Sequence, residues 1–241
     1  MKKLTNAGIT LITLLFVFSS CKKDLVVGSG PVVTQARSIN NFTGMTFRVP
    51  GRVNFKIGPV YKVEVSAQQN ILDVLNTYVA NGILIIDFSD HVRVRENADI
   101  TINITAPSAD HFSVSGTGDI NAEGDLVTTN LNLSSSGTGK ISVQKATVNG
   151  TLDVDISGVG NINIGDGSAI NEELRISGVG DIDLSNVAAQ RATTYTSGSG
   201  NMKVNLSQSL DVHISGSGTV YYRGTPTITT HISGSGNVQH F

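Results

Sequence analysis

The chain has no tryptophan, one cysteine and five prolines in 241 residues. A single cysteine cannot close an internal disulfide, so no covalent staple holds the fold. Charged residues make up only 15% of the chain, and the formal net charge is −2. That balance provides no electrostatic footprint for nucleic acid or for an anionic membrane surface. Basic residues are scattered except in Arg93-Val94-Arg95, where alternation reads as the wet side of a strand, so no nucleic-acid partner is expected. Aromatics are 5%, too few for a broad sugar-stacking platform. Glycine, in contrast, is abundant at 26 residues, and its distribution is periodic.

The longest apolar run, residues 9–18, follows Lys2 and Lys3 and is too short to cross a bilayer as a permanent helix. It leads into Phe-Ser-Ser-Cys at 18–21. This segment resembles a bacterial lipoprotein signal peptide. The resemblance implies that residues 1–20 are removed, that Cys21 is lipidated, and that residues 21–31 form a lipidated tether. The lipid would make the membrane a partner. Lys22 stands where an aspartate would be an inner-membrane retention signal, so the resemblance points to the outer membrane, facing either the periplasm or the exterior.

Seven copies of Ser-Gly-x-Gly begin at Ser115, Ser136, Ser157, Ser177, Ser197, Ser215 and Ser233, with spacings of 21, 21, 20, 20, 18 and 18. A period near twenty is the signature of a solenoid. Five residues beyond each serine stand Ile120, Ile141, Ile162, Ile182, Met202, Val220 and Val238, all apolar. The residues preceding each motif alternate apolar and polar, as in Leu152-Asp153-Val154-Asp155-Ile156. Period-two alternation on both sides of the glycines predicts two short strands per repeat with a corner between them and a third, less regular segment closing the coil. Two glycines in every period exclude a helical repeat. The expected fold is all-β: a parallel β-helix, or β-solenoid, of about seven coils of 18–21 residues.

The corner glycines are Gly116 and Gly118, Gly137 and Gly139, Gly158 and Gly160, Gly178 and Gly180, Gly198 and Gly200, Gly216 and Gly218, and Gly234 and Gly236. Glycine at a corner allows positive φ or close backbone approach. Asn or Asp follows the second glycine in five copies, and these residues tolerate left-handed turns or stack into ladders. Residues 32–105 lack the motif. They alternate apolar and polar residues, with strands expected near Val53–Ile57 and Tyr61–Val65, a short helix around Ile71–Leu75 and a hairpin at Asn81-Gly82. This β-rich region should cap the solenoid of 106–241, because an open strand edge recruits other strands. At the other end, either Phe241 folds over the last coil or a second chain covers it, which makes a homodimer through this edge one expectation.

The repeated Ser-Gly-x-Gly-(Asp/Asn)-Ile phrase, best seen in Gly118-Asp-Ile-Asn121 and Gly160-Asn-Ile-Asn163, is similar to the head GIN domain family of auto-transporter adhesins. The resemblance runs from about Ile39 to the C-terminus. It implies a β-helical fold, an envelope location and an adhesive role without an assigned catalytic site.

Three kinds of site compete with a purely structural role. Dinucleotide binding needs a third glycine and a following helix, and both are missing here. A calcium roll needs stacked carboxylates, but Lys140 and Thr219 interrupt the column that follows the second glycine. The third candidate is the outward face before the corners, with Asp153, Asp155, Glu173, Arg175, Tyr195, His213 and His231 as a ligand-contact surface. Acids there also admit a pectin-lyase-like, polysaccharide-active enzyme. Opposite charges on neighbouring exposed strands, however, need no function to explain them. His213 and His231 lack an evident third ligand, so neither a metal nor a cofactor is expected. The leading expectation is therefore a non-enzymatic, outer-membrane-tethered lipoprotein that contacts a glycan or an envelope protein. The alternatives are the enzyme and a structural envelope protein that self-associates through its C-terminal end.

Overall fold

A computed structural model describes residues 24–95 and 100–241. The signal segment, Cys21 and Lys22 lie outside these residues. No helix among the described residues is long and apolar enough to cross a membrane.

The repeats form a β-solenoid in which each coil pairs in parallel with the next. The column Ile120, Ile141, Ile162, Ile182, Met202, Val220 and Val238 is in strict register. So is the column Phe112, Leu133, Val154, Leu174, Thr194, Val212 and Thr230 on the second wall. Between their ends these columns are buried, and they fuse into one continuous core. The seven motifs thus bound six complete coils. The third wall is built by long strands such as Thr138–Ile156 that run through a corner, with register shifts where the residue count changes. Where the period falls from 20 to 18, the register slips between Asp183 and Ala188 and again between Ala189 and Arg191.

The corner glycines owe their identity to contact rather than to φ. Of the fourteen, only Gly180 has positive φ. A Cβ added at Gly137, Gly158, Gly178, Gly198, Gly216 or Gly234 would meet the carbonyl oxygen of the equivalent glycine one coil earlier at 1.9–2.1 Å. The second glycine of each motif is similarly confined from Gly139 onward. Side chains are excluded because the backbones of successive coils meet face to face at this corner.

The N-terminal region is woven into the same sheet. Strands Gly44–Phe47 and Gly51–Ile57 form a coil without the serine motif, with Gly51 opposite Gly118. On their far side lie Ile83–Phe88 and Thr101–Ala106, also parallel. Spatial order therefore departs from chain order: residues 44–57 sit between strands Ile83–Phe88 and Thr101–Ala106 on one side and the first motif coil on the other. Antiparallel strands close this end. Val32–Arg37 pairs with Lys62–Gln68, which pairs with Thr101–Ala106, and Leu75–Ala80 forms a hairpin with Ile83–Phe88. The hairpin turns at Asn81 and Gly82 with φ of 52° and 76°, the geometry that the Asn-Gly pair favours. The helix is a single turn, Gln69–Leu72, anchored by buried Ile71 and Leu72. Phe42, Phe47, Phe55 and Phe112 fill this end, with Phe55 and Phe112 edge-on at 5.0 Å. Within the segment read as a tether, Asp24–Val26 already pairs in parallel with Val92–Val94.

At the opposite end, no described strand pairs beyond Thr227–Ile232 and Asn237–His240. Phe241 does not fold over this end. Its amide bonds to the Tyr222 carbonyl, and its ring lies against Arg223 and Tyr221 on the outer wall. Ile232, which continues a core column, is 43% exposed.

The core contains one misfit of charge. Glu172 occupies an inward column between Leu152 and Ala192. It is fully buried, and neither carboxylate oxygen has a hydrogen-bond partner. Burial pushes its pKa well above the ordinary 4.5, so the folded protein holds it as the neutral acid. The unfolded chain loses that proton more readily. Stability should therefore fall as pH rises above about 4.5, until the folded state also ionises.

Two outcomes follow. Glu172→Leu should raise the melting temperature at neutral pH, by about 1–3 kcal/mol of stability, and flatten the pH dependence of thermal melts above 4.5. Gly178→Ala should cost at least about 1–3 kcal/mol through overpacking, whereas Ser177→Ala at the neighbouring exposed corner should stay within about 0.5 kcal/mol. Melts of the two variants side by side test the contact explanation.

Candidate contact face

Strand alternation determines which side chains reach solvent. On the wall before the corners, Asp155, Arg175, Tyr195, His213 and His231 are in register on successive coils. Beside them runs a second outward column, Asp153, Glu173, Thr193, Asp211 and Thr229. The seven residues singled out from the sequence thus share one face.

Side-chain contacts divide the face into two parts. In the first, Arg175 binds Asp153 at 3.2 Å and Glu173 at 2.9 Å. Asp155 is opposite Arg175 in the backbone register, but the guanidinium turns to the other two acids. The hydrogen bond to Glu173 holds the Arg175 pKa above its ordinary value. Partial burial, aided by Glu173 and Asp155 and opposed by Arg175, lifts the Asp153 carboxyl above the ordinary range. In the second part, the Tyr195 and His213 rings stack at 4.8 Å, and the His213 and His231 rings at 4.6 Å, both pairs within 14° of parallel. Arg175 lies over the Tyr195 ring at 5.6 Å and joins the two parts. The result is a four-tier column, Arg175–Tyr195–His213–His231, that follows the axis. An open groove of about 570 Å³ runs beside it, lined by Tyr195, His213, His231 and the corner serines Ser197, Ser215 and Ser233.

Asp211 was not among the residues singled out. It stands two residues before His213 on the same face and contacts both imidazoles, His213 at 3.3 Å and His231 at 3.6 Å. The signal was present in the sequence, because residues i and i+2 of a strand share a face. It supplies the third donor that the two histidines had lacked.

On the other side of the corner, the Asn/Asp column does structural work. Asp119 accepts a hydrogen bond from the Lys140 amide, Asn161 from that of Asp181, Asp181 from that of Asn201, and Asn201 from that of Thr219. Each bond crosses one coil boundary. Of the two expectations for this column, left-handed turns and ladders, the structure has an axial ladder, built from side chain to backbone amide, and none of these residues has positive φ. Lys140 cannot accept such a bond and interrupts the ladder. These side-chain oxygens face backbone N–H groups, so the repeated acidic position is explained without calcium.

The fold and the face define a class: a β-solenoid plugged at one end by aromatics, with a stacked polar column along one wall. The chain belongs to the family described as "Putative auto-transporter adhesin, head GIN domain", which matches residues 41–226. A "putative adhesin" from Bacteroides fragilis is similar at 26% identity and a TM-score of 0.84, covering 90% of this chain and 100% of its own. Two Parabacteroides distasonis structures share the fold with the same coverage. One, also a "putative adhesin", is 20% identical with a TM-score of 0.72. The other, called a "Putative lipid binding protein", is 19% identical with a TM-score of 0.70. No curated protein matches the chain. Family membership supports an adhesion-type function and a location at the cell envelope or surface.

Proposed function

We propose that this protein is a lipid-anchored contact protein of the outer membrane that binds a glycan or an envelope protein through the Arg175–Tyr195–His213–His231 wall. The observation that carries the proposal is the four-tier column itself. Arginine and tyrosine are the residue types that most often dominate binding energy. Here they stand on rigid strands, pre-stacked, so little side-chain freedom remains to be lost on contact. A flat face that repeats along an axis also lets many weak contacts add.

The leader and Cys21 support the anchor. Two residues, Lys22 and Lys23, lie between Cys21 and the start of the paired strand Asp24–Val26, three residue steps that reach at most about 10 Å. That pairing is with Val92–Val94, which immediately follows the cap strand Ile83–Phe88. Lipidation at Cys21 would hold this part of the protein close to the bilayer. The adhesin names of the family and of the Bacteroides fragilis neighbour favour contact over turnover. The engagement of both Asp153 and Glu173 by Arg175 is in keeping with that, since it ties up two of the acids an enzyme would need.

A second reading rests on the C-terminal end. Exposed Ile232 and the unpaired edge of strand Thr227–Ile232 offer a template for a second copy of the chain.

Binding of the purified chain to glycan and envelope-protein arrays tests the first reading. Arg175→Ala with Tyr195→Ala should weaken capture about tenfold or more, with no turnover on a polysaccharide panel. Turnover abolished by Asp155→Ala would replace contact with catalysis. Light scattering tests the second reading: a dimer that becomes monomeric when His240 and Phe241 are removed supports pairing through the open end, and a monomer at all concentrations removes it.

A further inference from the structure

Asp211 and His213 project from one face of strand Met202–Ile214, and parallel pairing with Thr227–Ile232 sets His231 beside His213. Asp211 Oδ2 lies 3.3 Å from His213 Nε2, and Oδ1 lies 3.6 Å from His231 Nε2. The donor atoms of the three residues are all within 4.8 Å of one another.

Three observations bear on the purpose of this cluster. Asp211 Oδ1 is shielded from solvent yet has no hydrogen-bond partner, since 3.6 Å is too long for one. A screened carboxylate oxygen among nitrogens is costly unless a donor or a cation occupies the space. The stacking of Tyr195, His213 and His231 holds the two imidazoles side by side on one face with near-parallel planes, so one ring must turn out of the stack to bring both nitrogen lone pairs onto a single ion. Finally, the donor set is two imidazoles and one carboxylate. Hard cations such as Ca²⁺ and Mg²⁺ select oxygen-only shells, whereas imidazole with carboxylate suits Zn²⁺, Cu²⁺, Ni²⁺ and Fe²⁺.

We propose that Asp211, His213 and His231 form a binding site for one divalent first-row transition ion, with Zn²⁺ as the reference occupant. Bonds of about 2.0–2.1 Å place tetrahedral donors roughly 3.3–3.4 Å apart. The Asp211–His213 pair already has that spacing, and rotation of the exposed His231 ring out of the stack closes the wider distances. His231 is 57% exposed, so the fourth position opens to solvent and accepts water or a donor from outside. The ion ties the last described coil, which has no strand partner on its far side among the described residues, to the coil before it. Its binding therefore stabilises that coil by mass action. The site stands whether or not the wall binds a glycan or a protein.

The test uses the full-length chain in detergent, stripped with chelator and titrated with Zn²⁺ and Co²⁺. One ion per chain is expected, with visible Co²⁺ d–d absorption. Zn²⁺, but not Mg²⁺ at the same concentration, should slow amide exchange in Thr227–Ile232. His213→Ala and His231→Ala should each weaken binding about 100-fold or more, at least the effect of losing an outer-shell partner. Asp211→Asn should weaken it about tenfold or more, and His111→Ala should leave it unchanged. The exchange and Co²⁺ measurements on the unaltered chain keep the test valid if a variant misfolds. Absence of binding at about 1 mM free Zn²⁺, the weak end of the affinity scale, or binding that survives the His213→Ala/His231→Ala double change, overturns the site and leaves a stacked imidazole–carboxylate cluster only.

Discussion

The structure depends on a close approach between backbones. At each corner the carbonyl oxygen of one glycine occupies the volume where the next coil's glycine would carry a Cβ. This contact fixes the glycine column, and the hydrogen bonds between successive coils then determine the rest. At each of the later corners, the amides of the serine and of the first glycine converge on one carbonyl of the preceding coil, as Ser157 and Gly158 do on Ser135. With the corner locked, the strands on either side have no freedom to slip. Apolar residues stay inward, and polar columns are delivered to the outside in register. The contact wall is a by-product of that register.

The two ends of the solenoid meet the edge problem differently. Near the N-terminus, phenylalanines fill the end and antiparallel strands change the direction of hydrogen bonding, so the parallel stack cannot continue. This end accounts for much of the scarce aromatic content. At the C-terminal end the core columns run out into solvent at Thr230 and Ile232. The interior between them is less uniform than a solenoid core need be. Ser135, Thr194 and Thr196 bury hydroxyls without partners, and Glu172 buries an acid. These misfits are dispersed over coils whose other positions are filled by Val, Ile and Leu.

The solenoid was legible in the sequence because its determinants are local and repeated: two glycines, a serine and alternating apolar residues at a nearly constant period. The hairpin at Asn81-Gly82 was legible for the same reason, since that dipeptide carries its own turn geometry. The insertion of residues 44–57 between the strands Ile83–Phe88 and Thr101–Ala106 and the first motif coil was not legible. It arises from pairing between segments distant in sequence, and Val49-Pro50-Gly51 does not resemble the motif it replaces. The outward columns could be listed from the alternation, but the preference of Arg175 for Asp153 and Glu173 over Asp155 depends on side-chain reach. Both columns were readable, but the closeness of Asp211 to His213 and His231 depends on side-chain rotamers that the alternation does not specify.

The change in coil length from 21 to 18 residues has a geometric consequence. A shorter turn of chain has less backbone to enclose the core, and the register slips between Asp183 and Arg191 put that loss on the wall after the corner. The turns are therefore not interchangeable bricks. Copying a long turn beside the short ones would leave a step in the wall, whereas copying it beside one of equal length would not. Lengthening of such a rod by duplication is thus graded by position, with each size class free to multiply only next to its own kind.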